Sequence, residues 1–108
     1  MFTVAPSVLI DNNASDSHTV VEVSARDRAG LVSDITRALF DLKLTISSAH
    51  IATWGERAVD TFYVRDLFGH KVTHETRMKR IEDRVIEVLE NPSWPIQDPQ
   101  KADTAAAE

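Results

Sequence analysis

The chain contains no cysteine. Disulfides, thiolate nucleophiles and Cys-ligated zinc are therefore excluded. Glycine is scarce, with three in 108 residues, and neither GxGxxG nor GxxxxGK[ST] occurs. The glycine-rich turns that cradle nucleotide phosphates are thus missing, as is the GxSxG nucleophile elbow. No apolar run approaches the ~20 residues of a membrane-crossing helix. Residues 1–10 lack a basic stretch leading into an apolar one, so no secretory signal is expected. Positive charge is in the minority, with 12 Lys+Arg against 17 Asp+Glu and a formal net charge of -5. A nucleic-acid partner, which needs a basic face for its phosphates, is not expected. No membrane partner is expected either.

What is present suits one globular domain with a modest core: 43% of residues are hydrophobic and 27% charged. Residues 8–10 form a short β-prone run before the polar turn 11–17. Residues 18–26 alternate, with Thr19, Val21, Val23 and Ala25 on one face, which predicts a half-buried strand. After the break Asp27-Arg28-Ala29-Gly30, the residues Leu31, Ile35, Ala38, Leu39 and Leu42 recur at helical spacing. Asp34, Arg37 and Asp41 are expected on the polar side, and Asp27 as the N-cap. Residues 44–54 read as a strand, Gly55-Glu56 as a turn and 58–65 as a second strand, with Phe62 and Val64 on one face and Tyr63 on the other. A second helix is predicted over 73–90, with Met78, Ile81, Val85, Val88 and Leu89 as its apolar stripe. Lys79 with Asp83 and Arg84 with Glu87 are spaced to pair along it. Asn91-Pro92 ends it.

This order predicts an α+β, ferredoxin-like βαββαβ fold, an antiparallel sheet with two helices on one face. The segment 93–96 contains Pro95 and makes a poor last strand. Residues 8–10, folded back antiparallel onto the strand from His18, are expected to replace or extend that edge. The chain divides into an edge strand and turn over 1–17, the domain proper over 18–91 and a tail over 92–108. That tail, with Pro95, Pro99 and an alanine-rich end, is expected to be flexible and a natural C-terminus.

Few residues point to chemistry. The carboxylates fall on predicted polar faces and read as solvated charge. His70 and His74 have metal-ligand spacing, but two ligands fall short of the three or four zinc takes, so no metal site is expected. His18 reads as a surface residue. His50 reads either as a sheet-face histidine bonded to a backbone or hydroxyl group, or as a contact in a ligand site or dimer interface. The turn 26–32 joins a strand to a helix N-terminus, where free N–H groups and the helix dipole attract a carboxylate. Gly30 admits close approach. By spacing alone this is either a capped helix start, which every such unit needs, or an anion-binding turn.

Arg26-Asp27-Arg28-Ala29-Gly30-Leu31-Val32, followed by Asp34-Ile35-Thr36-Arg37-Ala38-Leu39, resembles the signature of ACT domains, small ligand-binding regulatory modules. Ile46-Ser47-Ser48-Ala49-His50-Ile51 and Glu56-Arg57-Ala58-Val59-Asp60-Thr61-Phe62-Tyr63-Val64 are similar to the C-terminal ACT domain of the bacterial protein-PII uridylyltransferase/uridylyl-removing enzymes. Ala29 stands where that family usually has proline, which makes ligand affinity harder to carry over.

The resemblance implies a cytoplasmic regulatory segment without catalysis of its own and without a cofactor. It would be joined to further ACT and catalytic domains, bind an amino acid such as L-glutamine, and act indirectly on the PII protein. It also implies ACT pairing, including a homodimer, and a ligand between the turn of one domain and a strand of its neighbour. Asp27, Arg28, Ala29, Gly30 and Leu31 would form the turn side, with Asp27 meeting the ammonium group. Ser47, Ser48, Ala49 and His50 would form the strand side. The alternative is an ACT-fold oligomerisation or interdomain module without its own ligand.

Overall fold

The computed structural model describes residues 5–92. Its elements are β1 (Ser7–Asp11), β2 (Thr19–Arg26), α1 (Leu31–Asp41), β3 (Leu44–Trp54), β4 (Arg57–Asp66) and α2 (Glu75–Glu90). The strands form one sheet in the order β1-β2-β4-β3, and every pairing is antiparallel. This is the expected ferredoxin-like arrangement. β1 fills the edge beside β2, with Ile10 opposite Val21 and Val8 opposite Val23, as the folded-back hairpin requires. Residues 93–96 and the tail beyond them lie outside the described residues.

The alternation in β2 has the consequence period two demands. Thr19, Val21, Val23 and Ala25 are buried, and they face the same way as Ala58, Asp60, Phe62 and Val64 of β4. Leu31, Ile35 and Leu39 of α1 and Ile81 and Val85 of α2 close over them. Each of these side chains contributes roughly 1.5–3 kcal/mol on leaving water. Both helices therefore lie on one face of the sheet. Lys79 pairs with Asp83 at 3.0 Å and Arg84 with Glu87 at 2.9 Å along the outside of α2.

The start of α1 differs from expectation. Gly30 is the N-cap, with φ 81° and no side-chain cap, so Asp27 does not cap the helix. The Asp27 amide instead donates to the Glu56 carbonyl at 2.8 Å, tying the β2–α1 turn to the β3–β4 hairpin. Asp34 is buried rather than on the solvated face. At the other end, Lys43 adopts a left-handed φ of 66° as the chain leaves α1.

Candidate functional site

Only a flexible backbone makes the β2–α1 turn. Gly30 takes a left-handed conformation that a β-carbon would oppose, and this turns the chain from β2 into the first turn of α1. The Leu31 amide donates to the Arg28 carbonyl at 3.3 Å and the Asp34 amide to the Gly30 carbonyl at 2.9 Å. The positive end of the α1 dipole thus opens at Gly30. Asp27 and Ala29 are exposed, while Arg28 is half-buried. The Leu31 side chain is core, so it can serve a ligand only through its backbone.

Two ion pairs hold the turn. Arg28 Nη2 lies 2.9 Å from Asp34 Oδ2, and Arg26 Nη2 lies 3.4 Å from Glu56 Oε1. The Arg28 Nη1 also donates to the Ala29 carbonyl at 3.1 Å. Asp34 is thereby a structural partner of the turn, a role its place in the helical pattern did not reveal.

The strand side lies elsewhere on the sheet. A bulge between Ile46 and Ser48 shifts the register, after which Ser48 faces Tyr63, Ala49 faces Phe62 and His50 faces Thr61. All four of Ser47, Ser48, Ala49 and His50 are exposed. The turn meets the sheet at Arg26, opposite Arg57, so His50 is four residues along the ladder from it, roughly 13 Å at 3.3 Å per residue. Within one chain the fold does not bring the two sides together. Each lies on a surface that a neighbouring domain can reach.

Ser47 and His50 belong to a small cluster on the helix-free face. His18 Nε2 is 2.9 Å from Ser47 Oγ, and Ser17 Oγ is 2.8 Å from His18 Nδ1. Tyr63 meets both imidazoles edge-on, with centroids 6.3 Å from His18 and 6.2 Å from His50. His70 and His74 are both exposed. Among the described residues no group of three or more His, Asp or Glu is placed to hold a metal ion, and no helix is long and apolar enough to cross a membrane.

Sequence reasoning passed over Asp60. It reads as one of the solvated carboxylates, yet it is 1% exposed. Burial pushes its carboxyl above the ordinary range; the Ala52 amide pulls it back, and the Asp27 charge adds to the rise. The signal was present in the alternation, because period two puts residue 60 on the face of Phe62.

Residues 14–90 match the family model of the ACR family N-terminal ACT domain. The chain belongs to the ACT-domain family. The turn 26–32 is therefore the strand-helix turn of an ACT domain, carried on a sheet whose last edge is supplied by β1. Its relatives include the bifunctional uridylyltransferase/uridylyl-removing enzyme of Azospirillum brasilense, 58% identical over 86% of this chain and 10% of the relative. Another is the enzyme of the same name from Zymomonas mobilis subsp. mobilis, 61% identical over 79% of this chain and 9% of the relative. This ACT domain thus spans about a tenth of the length of the relatives it matches.

Proposed function

We propose that this ACT domain is a regulatory segment of a bifunctional uridylyltransferase/uridylyl-removing enzyme, sensing an amino acid, L-glutamine, and so controlling uridylylation of the PII protein. The identity to enzymes of that name supports the parent. The observation that carries the sensing role is the β2–α1 turn, where the Gly30 conformation opens the positive end of an 11-residue helix. Backbone N–H groups and the dipole there attract an amino acid's carboxylate. In this reading Asp27, Arg28, Ala29, Gly30 and Leu31 line one side, and Ser47, Ser48, Ala49 and His50 of a neighbouring domain line the other. The domain performs no catalysis, takes no cofactor and works in the cytoplasm. A ligand that prefers one arrangement of domains shifts the equilibrium by its differential affinity.

A second reading, an oligomerisation or interdomain module without a ligand, is favoured by the β3 edge. It is an 11-residue strand at the border of the sheet with Ile51 and Trp54 exposed. Such an edge offers a row of free backbone groups to another strand.

Thermal unfolding with saturating L-glutamine and with D-glutamine separates the two. At a hundredfold excess over Kd, binding adds about 2.7 kcal/mol, a rise in Tm on the order of ten degrees for a domain of this size. A response to the L-isomer alone is expected. No response, with a dimer by sedimentation, selects the module.

A further inference from the structure

β3 is the border strand, with β4 on one side of it and, among the described residues, no strand on the other. Leu44 and Ile46 lie on the face that carries the helices. Leu44 is in the core and Ile46 packs against it. Between this start of β3 and the side of α1 that holds Arg37 and Phe40 runs a groove of about 770 Å³, lined also by Lys43 and Leu67. Phe40 is 76% exposed and Leu67 62%. Large apolar side chains gathered in water at a concave surface mark a place that a partner covers.

Three features of the groove each call for one feature of its occupant. The free edge of β3 calls for the backbone N–H and C=O groups of an extended chain. The apolar floor and wall call for hydrocarbon side chains, at every second residue of such a chain. The rim calls for negative charge. Arg37 and Lys43 are exposed, neither is in an ion pair among the described residues, and no carboxylate lines the groove. A small anion would leave the strand edge unused. A second copy docked symmetrically would bring the same patch against itself and set two cationic rims together. The register shift between Ile46 and Ser48 also blunts the edge against long strand-to-strand pairing, and leaves 44–46 as a short regular stretch.

We propose that this groove docks an extended acidic-apolar peptide segment of a partner protein. The segment adds to β3 at residues 44–46, sinks alternate apolar side chains between Phe40 and Ile46, and sets a carboxylate on Arg37 and Lys43. The groove runs toward the C-terminal end of α1, away from Gly30, and does not depend on the amino-acid reading of the β2–α1 turn. It gives this part of the sheet border a partner other than a second ACT domain.

The test titrates the 108-residue chain with two peptides blocked at both ends, Glu-Val-Thr-Val-Glu and Lys-Val-Thr-Val-Lys, followed by amide NMR. The acidic peptide is expected to shift the amides of Phe40, Thr45 and Ile46 with a Kd of about 1 mM or below. The basic peptide is expected to bind roughly tenfold more weakly. In the double variant Arg37→Glu/Lys43→Glu, which changes only exposed side chains, the order of the two peptides is expected to reverse. Equal binding of both peptides by the wild type overturns the proposal, as do shifts confined to other residues or no shift with either peptide. Hexanoate that moves the same amides as strongly as the acidic peptide identifies a small-anion site and overturns it. Movement of these amides on concentrating the chain alone identifies a second copy as the occupant and also overturns it. Should the double variant fold poorly, the comparison of the two peptides on the wild type decides.

Discussion

Arg28 and Asp34 join the β2–α1 turn to the first turn of the helix it feeds, at 2.9 Å, with the Asp34 side chain only 8% exposed and that of Arg28 22%. The pair bridges Gly30, the residue whose left-handed backbone makes the turn possible. It fixes the geometry on which any carboxylate at this helix start depends.

Arg28→Ala should destabilise the fold by roughly 1–3 kcal/mol, because a buried carboxylate loses a charged donor. Partial exposure of the arginine keeps the loss below that of a fully buried pair. Urea unfolding measures it. Arg28→Lys should recover only part, since a single ammonium does not reproduce the forked guanidinium.

Asp60 and Asp66 impose opposite pH dependences. The Asp60 carboxyl titrates above 3.8 in the folded chain, so stability is greatest below the unfolded value and falls as pH rises through the folded one. Asp66 is held below 3.8, first by the His70 amide, with the Phe68 amide assisting. Both donate to its Oδ1, at 2.9 and 2.8 Å. Its contribution is present above 3.8 and lost as pH falls through the folded value. Asp60→Asn should therefore gain stability over the wild type at neutral pH, with the gain shrinking in acid. Asp66→Ala should lose stability at neutral pH, with the loss shrinking in acid. Denaturation of the variants at pH 7 and pH 4 tests both signs.

Lys43→Gly should stabilise the chain by roughly 1 kcal/mol. Lys43 sits just beyond α1 at φ 66°, with its amide donating to the Phe40 carbonyl at 3.0 Å. Glycine adopts that conformation without a β-carbon clash. The Lys43 carbonyl, which accepts from Arg77 Nη2 at 3.3 Å, remains. A lower Tm in the variant would mean that the lysine side chain contributes more than the strain costs.

Asn12→Ala should cost roughly 1–3 kcal/mol. Asn12 Nδ2 donates to the Val72 carbonyl at 2.7 Å and its Oδ1 accepts from Thr19 Oγ1 at 2.6 Å. Thr19 Oγ1 in turn accepts from the Val72 amide at 2.8 Å. Amide hydrogen exchange should quicken at Val72 in the variant; unchanged protection there would show that water replaces the side chain without loss.

The elements were legible because their signals are local. Alternation at 19–26 and helical spacing at 31–42 fix which side of each element is apolar, whatever lies opposite. The β1 hairpin was legible too, since a poor last strand leaves an edge for residues 8–10 to fill. Asp27 as a cap was a local inference that failed, because the turn spends its backbone freedom at Gly30 and ties the Asp27 amide to Glu56.

By itself, then, the sequence determined the secondary structure and the sheet face, which are properties of short-range pattern, and it pointed to the family through the resemblance of residues 26–39, 46–51 and 56–64. The tertiary structure decided which polar residues are taken out of water. Asp34 and Asp60 are buried only because other strands and helices close over them, and Asn12 reaches Val72 across 60 residues of chain. Burial and partnership are set by what arrives from elsewhere in the sequence, and no spacing within one element encodes them.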